Sequence, residues 1–290
     1  MSQLLSVLRP PSVRSLRLAT NRGTFAALSA APSANGHRGT ALLVPGFSGS
    51  KEDFLPLLPL LSSAGYEAFA IDLRGQYETG PASPFPSYEP SELAADLIAV
   101  AESLAHGPIH LLGHSYGGLV ARLAVLSNIA TWASLTLMNF GPAAVSAPQQ
   151  ARLGLLVEAL KTASLRDLWP FLRPADDNIP EEVQDFLSSR WAMNVPEALR
   201  LVAQHMMSEP DRTAELRATG VPVSVISGTP DETWPERQSN EMADRLGARF
   251  TEVPGGGHSP NVHRPQAVVN ALVCFWSNHA STPSGVPPLT

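Results

Sequence analysis

Three residue types in three settings could together perform nucleophilic chemistry. They are a serine in Gly113-His114-Ser115-Tyr116-Gly117, an aspartate in Ser227-Gly228-Thr229-Pro230-Asp231, and a histidine in Gly255-Gly256-Gly257-His258-Ser259-Pro260. A free serine hydroxyl is a poor nucleophile. It needs an imidazole to take its proton, and the imidazole needs a carboxylate to fix its tautomer and stabilise the imidazolium. The G-x-S-x-G pattern follows the apolar run Ile109-His110-Leu111-Leu112 and precedes a helical stretch from Tyr116 to Ser127. A strand, a sharp turn and a helix are therefore expected in that order, with Oγ exposed above the sheet. Gly113 and Gly117 flank Ser115 because strand and helix approach too closely there for larger side chains.

Taken singly, each residue has a plainer explanation. Ser115 could cap the following helix. Asp231 could be a surface aspartate, with Glu232 as its local rival, although Asp231 comes first after the Gly-Thr-Pro turn and has the shorter reach. His258 could be structural, although three glycines before it leave its ring unobstructed. The argument lies in the combination, since each of the three follows a separate apolar run. A tetrahedral intermediate also needs backbone N–H donors for its oxyanion. Tyr116, next after the serine, is one expected donor. Phe47 is the other, in the loop Pro45-Gly46-Phe47-Ser48-Gly49-Ser50 that follows Ala41-Leu42-Leu43-Val44.

The elements that must hold these loops alternate along the chain. Val13 to Leu18 and Thr24 to Leu28 read as a hairpin turning at Asn21-Arg22-Gly23. Strands follow at Ala41 to Val44, Phe69 to Ile71, Ile109 to Leu112, Leu135 to Met138, Val221 to Ile226 and Phe250 to Val253. Helical patterns lie between them, and a last one runs from Gln266 to Trp276. Alternation of this kind gives an α/β fold: a mostly parallel central sheet with helices on both faces and an N-terminal hairpin at its edge. From Gly141 to about Ala218 only helical patterns occur. The expected organisation is a core of residues 1–141 and 219–279, a helical cap over 142–218, and a loose tail over 280–290.

Bulk properties exclude several classes. The chain has 290 residues, a formal net charge of −6 and 44% hydrophobic residues. It carries no basic patch for nucleic acid and no apolar run long enough to span a membrane. The start, Met1 to Pro11, makes a poor signal peptide because Arg9, Pro10 and Pro11 break its apolar part. The single cysteine, Cys274, excludes an internal disulfide and is expected to be a buried structural thiol. A cytoplasmic protein, monomer or homodimer, is the expectation. His110 with His114, and His258 with His263, lack the helical H-E-x-x-H setting, so neither metal nor cofactor is expected.

Together these pieces resemble the α/β-hydrolase fold superfamily. The matching segments are Val44-Pro45-Gly46-Phe47, Asp72-Leu73-Arg74-Gly75, Gly113 to Gly118, Gly228 to Asp231, and Gly256 to Pro260. The order Ser, Asp, His is that of α/β-hydrolases. The loop has Pro45 before Gly46 where the family often has histidine. Some members place the acid after the strand preceding the cap, where this chain reads Met138-Asn139-Phe140. The resemblance implies a serine hydrolase, esterase-like, cleaving an ester, thioester or lactone. Acyl transfer, thioesterase activity, C–C bond hydrolysis, or ligand binding on a retained scaffold are the alternatives. Apolar cap residues imply a small hydrophobic substrate. Trp169, Phe171 and Trp191 are the residues expected to line its pocket, while Lys51 and Arg74 are expected to be solvated charges.

Overall fold

A computed structural model describes residues 4–32, 36–81, 87–104, 107–173 and 179–279. The expected tail over 280–290 lies outside the described residues. Eight strands form one sheet: β1 (Arg14–Thr20), β2 (Gly23–Ala30), β3 (Gly39–Val44), β4 (Tyr66–Ile71), β5 (Ile109–His114), β6 (Trp132–Met138), β7 (Val223–Thr229) and β8 (Arg249–Pro254). Their spatial order is β1-β2-β4-β3-β5-β6-β7-β8. The β1–β2 and β2–β4 pairs are antiparallel and the others parallel.

The sequence pattern explains which strands are central. β5 is buried along its whole length, whereas the edge strand β1 has no buried residue. A parallel strand covered on both faces has no solvent side for polar residues. Alternate side chains feed two cores. Leu42, Val44 and Leu111 pack with Leu93 and Leu97 of α2 (Pro90–Leu104) and Leu119 and Val120 of α3 (Tyr116–Ser127) on one face. Leu43, Leu112 and Met138 pack on the other with Leu58 and Leu61 of α1 (Leu58–Ser63) and the final helix, Pro265–Trp276.

Among the described residues, five helices lie between β6 and β7: α4 (Ala147–Ala159), α5 (Leu165–Leu172), α6 (Glu181–Ala192), α7 (Pro196–Ser208) and α8 (Thr213–Ala218). Then come α9 (Glu236–Leu246), α10 (Pro260–His263) and α11 (Pro265–Trp276). The five helices do not act as one body. α4 packs on α7 and α5 on α6, but α8 packs on α3 and α9 beside the sheet. Among the described residues no helix is long and apolar enough to cross a membrane.

Cys274 departs from the expectation of burial: it is exposed. Its place on α11 explains this. Ala271, Leu272, Phe275 and Trp276 occupy the inward stripe, and position 274 falls outside it, where Arg249 Nη1 lies 2.9 Å from Sγ.

Candidate active site

β3 and β5 are neighbours, yet the chain leaves β3 toward β4 on one side and leaves β5 toward β6 on the other. Loops that diverge beyond the carboxyl ends of adjacent parallel strands open a crevice. The Pro45–Ser50 loop and the Ser115 turn flank that crevice.

Ser115 joins β5 to α3 with φ 53° and ψ −123°. A non-glycine residue in this region is strained by about 1–3 kcal/mol and persists only where its surroundings enforce it. They do so here. A Cβ on Gly117 would strike the Val44 carbonyl, and one on Gly113 would strike the Gly117 carbonyl. A Cβ on Gly46 would lie 3.0 Å from Ser115 Cβ, so the Phe47 loop runs directly against the serine. That loop is tied down from β4's side: Gln76 Nε2 donates to the Gly46 carbonyl at 2.9 Å, and Gln76 Oε1 accepts from the Leu73 N–H at 3.0 Å.

The three separated residues meet. Ser115 Oγ lies 3.0 Å from His258 Nε2. His258 Nδ1 lies 2.9 and 3.0 Å from the two Asp231 oxygens. With Asp231 ionised, Nδ1 carries the proton and donates it, which leaves Nε2 as the acceptor for the serine hydroxyl. Burial alone would raise the Asp231 pKa. Hydrogen bonds and charge attraction from His258, with donors on Asn139 and the Thr233 backbone, more than offset it and hold the carboxyl below its ordinary value. Glu232 faces solvent, with its side chain 85% exposed beside Arg152.

Two positioning residues have no obvious sequence signature. Asn139, fully buried with φ 47°, follows β6. Its Nδ2 lies 2.9 Å from Asp231 Oδ2, 3.1 Å from the Gly257 carbonyl and 3.2 Å from the Gly228 carbonyl, and its Oδ1 accepts from the Gly228 N–H at 2.9 Å. One amide thus joins the acid's loop to the histidine's loop. In the sequence, Met138-Asn139-Phe140 stands out only for lacking a carboxylate. His114 is the second: its Nε2 donates to the His258 carbonyl at 2.7 Å. Burial, then the nearby His258, lowers its pKa to about 4, so the ring is neutral at pH 7.

Of the aromatic residues expected to line a pocket, Trp169 and Trp191 border one depression between α5 and α6, and Phe171 stands apart from it. Trp191 is buried among Leu156, Leu165 and Leu199, with its indole N–H on the Leu165 carbonyl at 2.7 Å, and Phe47 packs against this cluster. The depression measures about 550 Å³. Phe171 is 85% exposed and faces solvent. Lys51 and Arg74 are not solvated but buried. Lys51 Nζ contacts Asp72, Glu52 and Glu78 at 2.8–3.0 Å, and Arg74 pairs with Asp96. Four carboxylates compensate charges that a local reading leaves in water. Among the described residues no group of three or more His, Cys, Asp or Glu is arranged to hold a metal ion.

Residues 41–271 match the model of the Alpha/beta hydrolase family. "Putative carbamate hydrolase RutD" of Variovorax paradoxus is 31% identical over 252 residues, covering 85% of this chain and 94% of that protein. The enol-lactonase from Burkholderia xenovorans superposes with a TM-score of 0.74 at 19% identity, over 90% of this chain and 100% of the other. A thermophilic esterase from Thermogutta terrifontis gives 0.71 at 22%, over 92% and 100%. At such identities the two structures speak for the fold alone.

Proposed function

The chain belongs to the alpha/beta hydrolase family, and from that premise we propose that it is a serine hydrolase cleaving carboxylic esters or close acyl relatives through an acyl-enzyme on Ser115. The observation that carries this reading is the unbroken contact chain from Asp231 through His258 to Ser115, at 2.9 and 3.0 Å. Such spacing lets one proton move without rearrangement of the heavy atoms.

In the proposed reaction Ser115 Oγ attacks the carbonyl carbon while His258 Nε2 takes its proton. The Phe47 and Tyr116 N–H groups hold the oxyanion. The bond to the leaving alkoxide breaks, and His258 delivers the proton to that oxygen. Water then adds to the acyl-enzyme with His258 as base, and the acid departs as Ser115 regains its proton. Asp231 stays ionised throughout and stabilises the imidazolium. α4 to α7 serve as the cap.

Carbamate cleavage is a second reading, favoured by the 31% identity to the relative of that name. It uses the same residues and steps. Fluorophosphonate labelling followed by peptide mapping tests both at once. The expected adduct is on Ser115, and undiminished labelling of Ser115→Ala would reject the mechanism.

A further inference from the structure

Arg190 reaches from α6 of the insertion into the core and ends against the loop that carries Phe47. Its Nη1 lies 2.7 Å from Asp53 Oδ1 and 3.3 Å from Ser50 Oγ. Arg190, Asp53 and Ser50 are all buried, none more than 1% exposed. Ser50 closes the Pro45–Ser50 loop, and Asp53 meets that loop at two points. Asp53 Oδ2 lies 3.4 Å from the Ser50 backbone nitrogen, and a Cβ on Gly49 would lie 2.5 Å from the same oxygen. The Asp53 carbonyl accepts from Asn261 Nδ2 at 2.7 Å. Asn261 is fully buried and stands in α10, just after His258. One aspartate thus touches the Phe47 loop, the histidine's loop and the insertion.

Other anchors of the loop belong to the core. Gln76 holds the Gly46 carbonyl, and Asp72 Oδ1 accepts from the Lys51 N–H at 2.7 Å. The anchor at Asp53 differs because its counter-charge comes from the insertion, 137 residues along the chain. Stability alone does not account for that arrangement. A buried ion pair is commonly no more stabilising than apolar residues of the same volume, yet losing either partner is costly. What the pair adds is direction. An oxyanion donor must sit about 2.7–3.1 Å from the oxygen it serves, and a misplacement of about 1 Å can cost about 100-fold in rate. Removing Arg190 takes a charge partner from a buried carboxylate. The carboxylate then gains by turning toward water, and Ser50 and Gly49 move with it.

We infer that Arg190 is a positioning residue for the proposed reaction: seated on Asp53, it holds Ser50 and the Phe47 loop where the Phe47 N–H meets the oxyanion, so the oxyanion pocket is complete only with α6 docked. This rests on the acyl-enzyme reading above. Arg190 acts through Asp53 and the loop backbone rather than on the substrate. In the step concerned, Ser115 Oγ bonds to the carbonyl carbon, its proton passes to His258 Nε2, and the carbonyl π pair moves to the oxygen. The oxygen gains its charge only there, so the loss of Arg190 falls on turnover rather than on binding of the uncharged ester.

The test uses the full-length chain, p-nitrophenyl acetate as substrate and an alkyl trifluoromethyl ketone as inhibitor. Ser115 adds to that ketone, and the adduct keeps an anionic oxygen where the intermediate's would be. Fluorophosphonate titration to completion counts the active sites, so unfolded chains do not enter kcat. Arg190→Met should lower kcat by about 30-fold with KM within about twofold, and should raise the ketone's Ki by the same factor as kcat falls. Arg190→Lys keeps the charge and loses the planar fork that fixes its direction, so it should lie between, about five- to tenfold down in kcat. It also keeps the test alive if the methionine variant fails to fold. A purely structural role would lower the urea midpoint and leave kcat per titrated site and the ketone's Ki unchanged, and that result in either folded variant overturns the inference. If wild type takes the label on Ser115 while both variants match its kcat and Ki, only the positioning role falls. If wild type neither takes the label nor turns over the ester, the acyl-enzyme reading falls and takes this inference with it.

Discussion

Two buried asparagines stand on either side of the crevice, and the protein uses them in opposite ways. Asn139 has both ends engaged, with three acceptors around Nδ2 and the Gly228 N–H on Oδ1. Asn194 has only its nitrogen engaged, by two carbonyls at the end of α6, and its oxygen is open. A satisfied polar network in a low-dielectric interior is stiff and specifies one arrangement. A half-satisfied one is unstable unless something completes it. The acid–base corner, built from β6, β7 and β8, thus has its linking amide paired at both ends. The Phe47 corner, built from β3, β4 and the insertion, keeps that acceptor unpaired among the described residues. Preorganisation suits groups whose geometry must be set before reaction.

The largest expected effect comes from the atom both corners share. Ser115→Ala should reduce ester turnover by at least about 10⁴-fold with the fold intact. Steady-state kinetics with a p-nitrophenyl ester, alongside circular dichroism, measures this, and a folded variant retaining a tenth of the activity would sink the mechanism.

Acid should strike the acid–base corner and the sheet behind it. His114 and His110 have pKa values lowered to about 4, chiefly by burial. The unfolded chain titrates them near 6.5, so between about pH 6.5 and 4 it binds more protons than the folded one. Stability is then lost as pH falls through that window, by on the order of 3 kcal/mol per histidine. The Asp231 pKa is lowered below its ordinary value, so its contribution is present above that value and is lost only at still lower pH. Urea unfolding midpoints between pH 7 and 4 check this, and a flat profile contradicts it.

The Phe47 corner depends on a buried ion pair. Arg190 of α6 meets Asp53 at 2.7 Å, with both side chains at most 2% exposed, and also contacts Ser50 Oγ at 3.3 Å. Arg190→Met strands the carboxylate and should destabilise the chain by about 3–5 kcal/mol, and Asp53→Asn in the same chain should recover part of that loss. Denaturant unfolding of the single and double variants decides it. Equal midpoints for wild type and Arg190→Met would show that the insertion does not lean on this pair.

The smallest effect sharpens the contrast. Asn139→Ala removes the amide that joins the acid's loop to the histidine's loop. It should lower kcat by about 10- to 100-fold while KM moves little, because the loss concerns His258's geometry rather than substrate contact. It should also shift the acid limb of the kcat–pH profile, since Asn139 is one of the groups lowering the Asp231 pKa. An unchanged pH profile would reduce Asn139 to a packing role.

Much of the fold was legible because its signals are local. Apolar runs of strand length separated by helical periods give the alternation directly, and the structure mainly lengthens the strands. β7, for instance, continues through Ser227, Gly228 and Thr229 to deliver Asp231. Glycine was informative at Gly113 and Gly117 because closeness of strand and helix excludes a Cβ whatever the distant chain does. What stayed hidden has partners far along the chain. Lys51 finds Asp72 21 residues away, Asn139 finds Asp231 92 residues away, and Arg190 finds Ser50 140 residues away. Nothing near Lys51 or Asn139 announces such a partner, so one looked solvated and the other looked inert. The aromatic residues of the insertion divide for a related reason. Trp191 and Phe171 are equally apolar on paper, and only packing sends one into a cluster and the other into water.

Serine, aspartate and histidine behind successive strands, and the parallel sheet that must carry them, are properties of the chain read in order, because strand periodicity and turn sterics act over a few residues. Which groups surround those three is a property of the assembled molecule. Charge compensation and the orientation of Asn139 depend on surfaces that meet only when distant segments pack and water is expelled.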